Sequence, residues 1–318
     1  MRATGKYWLF GRGGEPICCK GTCITAAAPD VKDRVRGRPI YFLLALMTLL
    51  WLRLAVLLYG VAALAVLPAA LYNRPRWSQC AVPAAVGAAG LHFVSLAEML
   101  NAAHRRMPVE AHEVQSVLAL ILALLFLAVY WRYRSVSLGI FVLPIVFLMA
   151  VLAAFRPGQE SFSQPVHTGW VILHIVLLLA AYGGLIVSLL ASVLYLIQER
   201  RLKTKRSRLH RLPVIDMPLE TIDQIALKTL LFGLPCMTAG LLIGALMAQA
   251  DYGVRYFADP KILLTFGLWI AYVASIFIRR SSGLRGRRAV YLSSLVVLVV
   301  LFVWAANQFS VVHKFPTP

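Results

Sequence analysis

Apolar residues run through this sequence in long unbroken stretches, each closed at both ends by a short polar or basic segment. ALILALLFLAVYW, at 119–131, is typical: no charge interrupts it, and it shows neither the two-residue alternation of a half-buried strand nor a polar helical face. As helices, runs of roughly 17–25 such residues are long enough to cross a hydrocarbon layer of about 30 Å. The pattern predicts an all-α polytopic transmembrane helical bundle of about eight spans, near 52–72, 80–100, 114–131, 138–155, 169–197, 229–250, 262–278 and 290–309. Residues 218–228 add a shorter amphipathic pattern, with Leu219, Ile222, Ile225 and Ala226 on one face, which predicts a helix lying in the membrane interface.

Composition agrees with the pattern. Of 318 residues, 60% are hydrophobic and 14% charged, whereas soluble domains carry about 25% charged residues. The net charge of +19 reflects basic residues between spans and implies no nucleic-acid partner. The segments at 73–79, 132–137, 198–228 and 279–289 hold two, two, eight and five Lys/Arg, against two, one, two and one for 101–113, 156–168, 251–261 and the tail after 309. By the positive-inside rule the first set faces the cytoplasm and the second faces outward. The expectation is a multi-pass protein of a bacterial inner (plasma) membrane, with the 251–261 loop and the C-terminus on the outer, periplasmic side. Residues 1–46, with eight Lys/Arg by position 38, break the rule. They read as an extension that is disordered or precedes a true start at Met47, and 47–318 as one membrane domain. The five cysteines form no disulfide or metal pattern.

Ionisable residues inside membrane spans are costly, and they are the first place to look for function. His92 and Glu98 fall in the second span and His174 near the outer end of the fifth; His313 follows the eighth. His104, His112 and His167 are read as outer loop residues and His210 as a cytoplasmic one. The predicted orientation puts His174, His313 and the 251–261 loop at one membrane face. Two neutral imidazoles on either side of an aromatic-lined pocket are what bis-axial haem ligation requires. No HExxH, CxxC, P-loop or GxSxG pattern gives hydrolysis or nucleotide chemistry a foothold. Tyr182-Gly183-Gly184 would let a neighbouring helix approach closely.

Several segments, in order, resemble the cytochrome c assembly family of membrane proteins, the CcsA/CcmC-like group. They are HRRMPVEAHEVQS at 104–116, LGIFVLP at 138–144, GWVILHIVLLLAAYG at 169–183, the stretch 218–250, and GLRGRRAVYLSSL at 283–295. Within the group the resemblance is nearest the smaller CcsA-like branch that includes YpjD and HemX. His174 and His313 fall on the family's two external haem-ligand histidines. The loop at 252–261, YGVRYFADPK, falls on a tryptophan-rich signature of approximate form WGxYWxWDPK. It keeps Gly253 and Asp259-Pro260-Lys261, and it carries Tyr252, Tyr256 and Ala258 where tryptophans stand. Trp269 and Tyr272 downstream are also retained. The family's intramembrane ligand histidine falls on Phe277, which has no group able to ligate iron, while Arg279 keeps the accompanying arginine.

The resemblance implies haem b as cofactor or cargo, with His174 and His313 on the iron. Tyr252, Tyr256 and Phe257 would pack on the porphyrin beside Asp259, and Arg255 or Lys261 would pair with its propionates. His92 is the candidate for an inner ligand. Expected partners are the lipid bilayer, a CcsB-like subunit and apocytochrome c, in a cytochrome c haem lyase complex. The alternative is a HemX-like accessory protein supporting tetrapyrrole synthesis or another membrane complex.

Overall fold

The computed structural model describes residues 50–68, 75–102, 111–155, 169–203, 217–252, 260–281 and 287–306, all within one compact unit. The candidate residues Arg255, Tyr256, Phe257, Asp259 and His313 lie outside the described residues, as do His104, His167, His210 and the N-terminal extension.

The described residues form eight α-helices and no strand: α1 (Leu50–Pro68), α2 (Pro75–Ala102), α3 (Ala111–Tyr133), α4 (Gly139–Phe155), α5 (Gly169–Lys203), α6 (Leu219–Tyr252), α7 (Pro260–Ser281) and α8 (Arg287–Ala306). A helix closes its backbone hydrogen bonds within itself, so a chain this apolar can place its peptide groups in hydrocarbon. Six helices (α1, α2, α3, α5, α6, α7) are long and apolar enough to cross a membrane. Shorter apolar helical stretches are Gly139–Phe155 in α4 and Tyr291–Val300 in α8. The length and apolarity of these helices make the chain a multi-pass integral membrane protein.

Alanines and other small residues make much of the contact surface of α1, whose larger leucines mostly point away. In α1, Ala55, Tyr59, Ala62 and Val66 are buried while Leu54, Leu57, Val61 and Leu64 are exposed. Membrane helices associate by close van der Waals contact rather than by expelling water, so small residues mark the contact face. Two cores result. The first gathers α1 to α4, the later turns of α5 and the first turns of α6 around Tyr59, Phe126, Leu143 and Ile222. The second gathers the earlier turns of α5 with α6, α7 and α8 around Leu185, Met237, Leu268 and Tyr272.

The segment expected as an interfacial helix is instead the start of α6. Helical bonding begins at Pro218, whose carbonyl accepts from Thr221 and Ile222, and the helix runs on to Tyr252 past Pro235, which has no N–H to donate. Ile222, Ile225 and Ala226 are buried in the first core, so their apolar face is covered by other helices. At 1.5 Å per residue, 34 residues reach about 51 Å, longer than a hydrocarbon layer.

Helix directions give the bundle two unlike ends. α5 finishes in Arg200, Arg201 and Lys203, α7 in Arg279 and Arg280, and α8 begins at Arg287. α5 and α6 are antiparallel, because Gly184 lies against Thr229 while Leu178 lies against Gly240. The starts of α5 and α7 and the end of α6 therefore share the end opposite the basic one.

Candidate functional site

His174 sits in the second turn of α5, half-buried, at the end away from the arginines. Its Nδ1 lies 2.7 Å from the backbone oxygen of Gly240 on α6. A carbonyl oxygen only accepts, so Nδ1 carries the proton and donates it, and in the neutral ring the lone pair is on Nε2. An N–H held by a backbone carbonyl is the usual way a metal-binding histidine is oriented. The ring reaches that carbonyl because α6 has no side chain in its path. A Cβ on Gly244 would run into the imidazole, and one on Gly240 would come within 2.9 Å of Leu178. The glycines are four residues apart, so they line one groove of α6, and His174 and Leu178, also four apart, fill it.

Farther along α5 and α6 the same device recurs. Gly184 brings α5 within 2.8 Å (as a built Cβ) of the Thr229 carbonyl on α6, while its neighbour Gly183 faces Ile121 and Leu125 of α3. The close approach predicted for this glycine pair is present, directed at two helices at once. Tyr272 of α7 is fully buried, and its hydroxyl occupies the space a side chain at Gly233 would need while donating to the Ala181 carbonyl at 3.4 Å. Trp269, one turn nearer the start of α7, donates from Nε1 to the Thr238 hydroxyl at 2.9 Å. These two aromatics tie α7 to α5 and α6.

Tyr252 is the last residue of α6, so the structure places its backbone at the His174 end. His92 belongs elsewhere. It is fully buried in α2 on the flank of the first core, with Nε2 2.8 Å from the Ser116 hydroxyl and Nδ1 3.5 Å from the Tyr59 hydroxyl. Each ring nitrogen thus has a hydroxyl partner, one donating and one accepting. Phe277 is 69% exposed and points off the bundle. No group of three or more His, Cys, Asp and Glu side chains that could hold a metal ion occurs among the described residues.

Near the basic end, Arg279 is buried between helices. Its guanidinium lies 3.4 Å from Asp223 of α6, 3.5 Å from the Ser188 hydroxyl and 3.4 Å from the Ser192 hydroxyl of α5. Ser192 also lies 3.5 Å from Ser293 of α8. The sequence singles out Arg279 but not its partners, which come from two other helices, α5 and α6. The signal for the His174 groove is visible as Gly240-Leu241-Leu242-Ile243-Gly244, the spacing that lets membrane helices touch.

The sequence model of the family described as cytochrome C assembly protein matches residues 108–310. The chain belongs to that family. The match takes in α3 to α8 and the 253–259 segment, stops short of His313, and leaves out His92. A cytochrome c biogenesis protein CcsA of Guillardia theta is 26% identical over 216 residues, 61% of this chain and 71% of that protein. Another of that name, from Prochlorococcus marinus strain AS9601, is 28% identical over 192 residues, 55% of this chain and 62% of that protein. No solved structure matches the chain. The assembly family is thus represented by the second core, with its His174 groove, together with α3, α4 and the α6–α7 connection.

Proposed function

We propose that this protein binds haem at the His174 end of its bundle and assists cytochrome c assembly there. The observation that carries this reading is the Nδ1–H bond from His174 to the Gly240 carbonyl, because it fixes the ring and directs the lone pair of Nε2 to one place. His313 would supply the second histidine nitrogen to the iron. Tyr252, Tyr256 and Phe257 pack on the porphyrin, and Arg255 or Lys261 pairs with its propionates as charge-assisted hydrogen bonds. Asp259 belongs to the same cofactor-binding set. His92 keeps its two hydroxyl partners and holds α1, α2 and α3 together. When bound, haem supplies the group to be attached to apocytochrome thiols; the protein's part is to hold it, orient it and leave its edge accessible.

The eight helices cross the membrane in this reading, with the basic end in the cytoplasm by the positive-inside rule and the haem end outside a bacterial inner membrane. A CcsB-like subunit and apocytochrome c are the partners. The test is the absorption spectrum of the full chain purified in detergent, compared with His174→Ala and His313→Ala. Copurifying haem b whose spectrum shifts or fades in each variant supports the reading. Absence of haem, or an unchanged spectrum in both, overturns it.

A second reading has one observation in its favour. Phe277, at the place of the family's intramembrane histidine, faces away from the bundle, so no inner iron site forms around it. A HemX-like accessory role in tetrapyrrole synthesis needs no such site. The same spectrum, empty in the wild-type protein, would favour that role.

A further inference from the structure

Between α6 and α7, on the outside of the bundle, an open groove of about 390 Å³ is lined by Leu234, Val273, Ile276, Phe277, Arg280 and Ser281. Its volume falls within the range of small-ligand sites, roughly 300–1,000 Å³. Four of its residues are wholly apolar, and the two polar ones are the last of α7, so the groove is apolar along its length and cationic at the basic end of the bundle. The two neighbouring arginines of α7 are treated differently. Arg279 is turned inward onto Asp223 and two serines, while Arg280 is exposed and has no hydrogen-bonding partner among the described residues. Ser281 donates its hydroxyl to the Phe277 carbonyl at 2.8 Å.

We propose that this groove is a binding site for one anionic glycerophospholipid, its phosphate on Arg280 and an acyl chain along Phe277, Val273 and Leu234. Charge complementarity selects the occupant. A cation placed at the rim of an apolar cleft, at headgroup depth, pairs with an anion that carries its own hydrocarbon. Basic pockets between membrane helices recognise acidic headgroups in this manner. A neutral lipid leaves Arg280 without a net counter-charge, and a free phosphate leaves the apolar wall exposed. The aromatic ring of Phe277 forms one wall of the cleft, which gives that outward-facing side chain a function other than iron chemistry. The site is independent of haem binding.

The test uses the full chain reconstituted in nanodiscs of phosphatidylcholine alone or mixed with phosphatidylglycerol, then released into mild detergent for native mass spectrometry. The wild-type protein is expected to keep one phosphatidylglycerol, with a preference of about fivefold over phosphatidylcholine, the effect of one basic residue near a membrane surface. Arg280→Ala should abolish the preference, whereas Lys203→Ala, at the same end of the bundle, should leave it intact. Leu234→Trp fills the groove and should displace the lipid; if that variant does not accumulate, the more exposed Phe277→Trp takes its place. Retention of phosphatidylglycerol by Arg280→Ala at the wild-type level would overturn the proposal. So would thermal stabilisation by inorganic phosphate equal to that by phosphatidylglycerol, or a dimer that dissociates when the groove is filled.

Discussion

A histidine that is to hold a metal must present one nitrogen and anchor the other. Gly240 provides the anchor for His174 through its backbone, and Gly244 provides the room. Gly244→Ala should therefore act as a displacement of His174 without touching its chemistry. Overpacking of this kind costs about 1–3 kcal/mol, and haem copurifying with the variant should fall in parallel with His174→Ala. A wild-type spectrum in Gly244→Ala would show that the ring's place in the groove is immaterial. His92 makes the opposite prediction. Its removal leaves the Ser116 and Tyr59 hydroxyls without their imidazole partner in an apolar core, at about 1–3 kcal/mol. His92→Ala should lower the thermal midpoint in detergent while leaving haem absorption unchanged.

Among the helices, α6 is held closely on two sides, touching α5 along its glycines and α7 through Gly233 and Thr238. Gly233→Ala drives a methyl group into the Tyr272 hydroxyl and should destabilise by about 1–3 kcal/mol. Tyr272→Phe removes that oxygen, so the double variant should recover part of the loss; additive melting-temperature changes would disprove the contact. The limits of the helices were readable from hydrophobic runs alone, to within a few residues for α3, α4 and α7. The start of α6 was not. Its amphipathic face is the same whether the surface covering it is lipid headgroups or a protein core, and the tertiary contact decides. Likewise Gly240 and Gly244 announce a close approach in sequence, but nothing local says that a histidine from α5 is what approaches. The partners of Arg279 were hidden for a related reason: α5 and α6 supply ordinary Ser and Asp residues, and only their assembly with α7 makes a site.

That buried cluster is a junction of the entire bundle, joining α5, α6 and α7 directly and α8 through Ser293. Removing one partner of a buried ion pair costs about 3–5 kcal/mol, so Arg279→Ala should sharply reduce the yield of folded protein, with Asp223→Asn a milder loss in the same direction. The sidedness of the fold is open to chemical labelling. In a cysteine-free background, Trp170→Cys near the start of α5 and Ser281→Cys at the end of α7, both at exposed positions, should react with impermeant reagents from opposite membrane faces. Labelling of both from one side would contradict the proposed arrangement of spans. The bonds from α7 to α5 have one more property. Tyr272 with Ala181 and Arg279 with Ser188 are both separated by 91 positions, so the two helices run parallel in a single register. Sliding either by one turn, about 5.4 Å, would unlatch both bonds together. A cross-link that stops α5 from sliding along its axis should therefore hold α7 in place as well.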